Sequence, residues 1–148
     1  MVTIKVPFAA LAALALVTGC GPTDGIDTSG AVYSGVSPDA AITLTGTEPF
    51  WGLEIGAQRD GEHEARFSQL DEIDGREFVV TRFAGNNGLG FSGELDGKPV
   101  QIALTPGDCS DGMSDRSYPL AATVAVGDAV LLGCAYTSEE PLPGPASP

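Results

Sequence analysis

Apolar side chains recur at every second position through most of the chain from Ile42 to Tyr136, which is the period of strands rather than helices. In "FWGLEI" Trp51, Leu53 and Ile55 share one face. In "EHEARF" His63, Ala65 and Phe67 share one face, with Glu62, Glu64 and Arg66 on the other. Leu89, Phe91 and Leu95 continue the pattern, then Val100, Ile102 and Leu104, then Leu120, Ala122, Val124 and Val126. Val130, Leu132, Cys134 and Tyr136 close the series, and their phase predicts that the Cys134 sulfur points inward. Ile42 and Leu44 make a short strand ahead of all these, while residues 77–83, "EFVVTRF", are β-rich without a clean polar face. Asp60-Gly61, Asp74-Gly75 and Asp96-Gly97 read as hairpin turns, joined by Asn87-Gly88 and Gly127-Asp128. The expectation is an all-β fold, a small antiparallel meander of about eight strands closing as a barrel or a sandwich. Only residues 65–74, "ARFSQLDEID", could hold a helical turn.

The ends of the chain break this pattern. Lys5 precedes the ten-residue apolar run Phe8–Val17, the layout of an export signal and too short for the roughly twenty residues that span a bilayer. The run closes in "VTGC", residues 17–20, which resembles the lipobox of bacterial lipoproteins. That resemblance implies cleavage after residue 19 and acylation of Cys20, which becomes the anchor to the membrane. Gly21, where Asp would favour retention in the inner membrane, makes the periplasmic side of the outer membrane the expected address. Residues 20–35 are rich in Gly, Ser, Thr and Asp and read as a tether; residues 137–148 are Pro-rich and read as a disordered tail. The folded β domain is then 36–136. Of three cysteines, Cys109 and Cys134 remain once Cys20 is taken by lipid, and an oxidising compartment favours pairing them.

Charge narrows the partners. The chain carries a net charge of −13, and removal of residues 1–19 takes away only Lys5, giving −14. Such a surface repels phosphate backbones, which excludes nucleic acid, and attracts basic proteins, lysozyme among them.

The stretch with the most chemistry is "CSDGMSDRSYP", residues 109–119, a loop-like run following the strand that ends near Thr105. Together with "GTEPFW", 46–51, and "GCA", 133–135, it resembles a family of uncharacterised bacterial outer-membrane lipoproteins. That family carries Glu-Pro-Phe-Trp near the start and Cys-x-Asp-x-Met-Ser…Tyr-Pro near the end. The matching positions are Glu48, Pro49, Phe50, Trp51, Cys109, Asp111, Met113, Ser114, Tyr118, Pro119, Gly133 and Cys134. The resemblance supports lipidation and the disulfide and implies no activity. Candidate binding residues are therefore Glu48, Trp51, Asp111, Met113, Ser114, Arg116 and Tyr118, with Glu48 expected to reach Arg116 or the Tyr118 hydroxyl across one end of the fold. Trp51, in phase with Leu53 and Ile55, also suits a buried core anchor.

A second, weaker likeness is to periplasmic inhibitors of C-type lysozyme, small β-barrel lipoproteins that present a Ser and a Lys from a loop. "SDRSY" offers Ser114 and Arg116 but no Lys. Catalysis is not expected: a nucleophilic Ser114 or Ser117 needs a base, and the only imidazole, His63, lies on an apolar strand face. Asp108, Asp111 and Asp115 lack EF-hand spacing and suit turn formation instead, so neither a metal nor a cofactor is expected.

Overall fold

In the computed structural model, which describes residues 32–144, the sheet closes on itself as a barrel. Its eight strands are β1 (Ile42–Thr47), β2 (Phe50–Ile55), β3 (His63–Gln69), β4 (Glu72–Ala84), β5 (Leu89–Leu95), β6 (Lys98–Ser110), β7 (Ser117–Val126) and β8 (Ala129–Thr137). They pair antiparallel in chain order, and β8 returns to β1 with Ile42 opposite Thr137 and Thr45 opposite Cys134. Closure leaves each described strand with a neighbour on both sides, which is how an all-β chain avoids templating its own aggregation. The expected signal segment, Cys20 and most of the expected tether, together with residues 145–148, lie outside the described residues.

Alternation sends the expected set inward. Leu44, Leu53, Ile55, Phe91, Leu104 and Val124 are almost fully buried, and at roughly 25 cal/mol per Å² such burial is the main force closing the barrel. The interior is thus filled by side chains, as in other small barrels. Asp96-Gly97 forms the β5–β6 turn with both residues at positive φ, 51° and 76°, the conformation a two-residue hairpin needs.

Three expectations are corrected. Val130, Leu132, Cys134 and Tyr136 do share a face of β8, but it is the outer one. Leu131 packs inward opposite Val124, with Gly133 and Ala135 in the same phase, leaving Val130 and Leu132 64 % and 68 % exposed. Asp74-Gly75 is not a turn: β3 and β4 join at Leu70 and Asp71, and Gly75, at φ 72°, sits in a bulge where residues 73–75 oppose Ser68 alone. Residues 65–74 hold no helical turn: residues 65–69 run in β3 against β2 and β4, and the chain reverses at Leu70 and Asp71 into β4.

The connections give the barrel two unlike ends. At one, the turn end, β1–β2, β3–β4, β5–β6 and β7–β8 are joined by two residues each. At the other, Val36 and Ala40 close the core before β1 begins, and Arg82 donates from its guanidinium to the Val36 carbonyl at 2.9 Å. The ordered body also runs past residue 136. Thr137 is buried in β8, and the Ser138 amide donates to the Ala41 carbonyl at 2.8 Å.

Candidate functional site

β6 and β7 outrun the barrel. Their register shifts between Pro106 and Cys109, and beyond that point they form an arm, Cys109 facing Tyr118 and Ser110 facing Ser117. The arm folds back along the outer face of β8, where Cys109 is bonded to Cys134 with Cα atoms 5.6 Å apart. Cys134 is therefore outward-pointing and yet only 1 % exposed, because the arm covers it. The Tyr118 ring lies on the same strand, 6.3 Å from Tyr136.

Asp111 organises the arm tip. One carboxylate oxygen accepts the Met113 and Ser114 amides at 3.0 and 2.9 Å. The other accepts the Ser114 and Tyr118 hydroxyls at 2.8 and 2.9 Å. An aspartate binding amides two and three residues ahead is an Asx-type turn, favoured by Gly112 at φ 72° between them. Four donors around one carboxylate favour its charged form. The Ser114 amide, then the Met113 amide and the Ser114 hydroxyl, hold Asp111 well below the usual carboxylate range. Burial, followed by the bond to Asp111, raises the Tyr118 phenol. The Thr47 hydroxyl donates to the Asp111 carbonyl at 3.1 Å, so the arm tip reaches the far end of β1.

The two motifs are thus brought together, but not as expected. The link is Thr47 to Asp111; Glu48 is exposed and makes no ion pair or hydrogen bond among the described residues. Arg116 donates instead to the Gly144 carbonyl. Tyr118 is buried and engaged with Asp111, Ser114 is engaged with the same carboxylate, and of the candidates in the arm Met113 alone stands free, 62 % exposed. His63 is inside the barrel, its Nδ1 2.7 Å from the Gly56 carbonyl and its ring edge-on to Phe91 at 5.4 Å, and does not converge with Ser114 on the outer arm. No three His, Cys, Asp or Glu side chains are grouped to hold a metal among the described residues.

Trp51 is 4 % exposed, and its indole fills the space that side chains at Gly46 and Gly133 would take. A Cβ on Gly46 would come within 2.0 Å of the indole nitrogen, and one on Gly133 within 2.8 Å of the ring. Over this floor, at the turn end, lies a depression of about 180 Å³ walled by Phe50, Leu70 and Ile73. These three are 47 %, 75 % and 78 % exposed, and the alternation does not call for them. Phe50 is out of phase with Trp51, which was the signal available in the sequence; Leu70 and Ile73 fell within the segment expected to turn helically.

A larger depression, of about 520 Å³, runs over the outside of β1–β4. Thr43, Glu54, Arg66 and Glu77 cross its floor in register, and Arg66 is ion-paired with Glu54. Comparison with protein-family models, curated proteins and solved structures returns no match, so the chemistry rests on this geometry alone.

Proposed function

We propose that this protein is a lipid-anchored envelope lipoprotein on the periplasmic side of the outer membrane, and that its barrel is a non-catalytic binding module. The observation that carries the second half is where the polar groups of residues 109–119 point. Asp111, Ser114 and Tyr118 bind one another, and Arg116 binds the chain's own backbone, so the arm is a clasp rather than a reactive centre. A nucleophilic role for Ser114 would need a neighbouring base, and its hydroxyl faces a carboxylate that its surroundings keep ionised but weakly basic. With the interior packed, the surface left for other molecules is the outside of the barrel and its turn end.

The lipobox-like "VTGC" supports the anchor. Mass spectrometry of protein purified from cells tests it: acyl chains on an N-terminal Cys20 are expected, and a free Cys20 thiol would overturn the anchored reading. Lysozyme inhibition falls behind, because it requires Ser114 and Arg116 to be presented outward. Lysozyme activity is expected to be unchanged at micromolar concentrations of the protein; inhibition abolished by Ser114→Ala and Arg116→Ala would restore the arm as the contact surface.

A further inference from the structure

We infer that the turn end is a docking site for a cationic peptide segment, part of a basic protein, that carries bulky apolar side chains between its positive charges. The inference deepens the binding-module proposal and rests on it. Phe50, Leu70 and Ile73 present three large apolar side chains around one depression, on two adjacent hairpin turns, with the buried Trp51 as floor. Clustered exposed apolar groups on a small acidic domain mark an interaction surface more often than a scattered few do.

The rim says what kind of partner. Every turn at this end carries an acid: Glu48, Asp71, Asp96 and Asp128. Glu72 and Asp74 lie in the first residues of β4; of the cations at this end, Arg76 is already paired with Glu72 and Asp96, and Lys98 lies beside Gly127. Apolar anchors on an end where Glu48, Asp71, Asp74 and Asp128 make no ion pair among the described residues repel a second copy of this chain and an anionic membrane alike, and complement lysine or arginine flanking an apolar residue. The position agrees with this. The described chain enters β1 and leaves β8 at the opposite end, so neither the segment before β1 nor the one after β8 emerges at the turn end.

The full processed chain, purified in a non-ionic detergent, is titrated with the synthetic peptide Lys-Phe-Lys-Leu-Lys-Phe-Lys and with its Lys-Ser counterpart. Trp51 is the only tryptophan, so its fluorescence reports on the floor of the site, with calorimetry as a second readout. Saturable binding of the apolar peptide is expected, at least tenfold tighter than the Lys-Ser peptide. Binding should fall at least tenfold in the Phe50→Ser/Leu70→Ser/Ile73→Ser variant and severalfold in Glu48→Gln/Asp71→Asn/Asp128→Asn. It should also weaken at 1 M salt, where screening acts over about 3 Å. Equal binding of both peptides, or wild-type binding by the serine variant, would overturn the inference. So would a dimer in sedimentation that the serine variant dissolves, because the occupant would then be a second copy. The titration does not depend on acylation: its failure beside an acylated Cys20 removes the docking site alone, whereas a free Cys20 removes the anchor and leaves the titration standing.

Discussion

The arm and the turn end invert what their sequences advertise. Residues 109–119 contain the aspartates, serines, arginine and tyrosine from which sites are built, and the fold uses most of them to hold the arm to itself and to β8. Phe50, Leu70 and Ile73 contain no reactive group, and the fold leaves them uncovered around one depression. Polar residues in a run can satisfy one another locally, and an Asx turn is a cheap way to do so. Apolar residues on tight turns have no such outlet, because the interior is already full. In a small barrel the unsatisfied chemistry is therefore better sought among exposed apolar groups than among polar ones.

The contrast predicts that damage to the arm lowers stability and damage to the turn-end rim does not. The largest effect should come from Cys109→Ala with Cys134→Ala. Opening a loop with a sequence separation of 25 removes about 3.5 kcal/mol on the chain-entropy estimate, read as a lower urea midpoint. Gly46→Ala tests the floor beneath the rim: the new methyl meets the Trp51 indole, and overpacking of this kind costs about 3 kcal/mol, with a red shift in Trp51 emission as the indole is displaced.

Asp111→Ala should cost about 2 kcal/mol, the scale of losing charge-assisted hydrogen bonds in a partly exposed setting. Its pH dependence has a definite sign. An unfolded aspartate titrates at about 3.9, and the folded Asp111 lies below that, so its contribution is complete above the unfolded value and is lost as pH falls through the folded one. The gap in melting temperature between wild type and Asp111→Asn should be constant near neutrality and narrow in acid below about pH 4. The smallest effect belongs to the serine substitutions at Phe50, Leu70 and Ile73. Each should change stability by no more than about 0.5 kcal/mol in thermal melts, as for exposed positions generally. A larger loss would mean that the rim is structural and the contrast false.

Much of the barrel was legible in the sequence because alternation is a strong signal wherever one face is buried, as in Leu53–Ile55 or Val100–Leu104. It failed on β8, where Val130, Leu131 and Leu132 are all apolar, so pattern alone offers two phases. Pairing of Leu131 with Val124, and the room Trp51 needs at Gly133, decide between them. The Cys109–Cys134 bond was legible from cysteine count, but not that it lies outside the barrel, since that depends on the arm folding back. Asp74-Gly75 carried a turn signature and became a bulge, while the true turn at Leu70-Asp71 carried none. For the candidate site, the meeting of the two motifs was legible and its chemistry was not. Glu48 to Arg116 was the natural charge pair, yet the Thr47 hydroxyl and a backbone carbonyl make the link.

Amide hydrogen exchange on the full chain, with and without the Lys-Phe-Lys-Leu-Lys-Phe-Lys peptide, reads both regions at once. The Met113 and Ser114 amides should exchange slowly and stay unchanged on adding peptide, while residues 48–52 and 68–74 gain protection. An arm that exchanges freely alone and becomes protected only with the peptide would contradict the account, because the clasp would then be the binding surface.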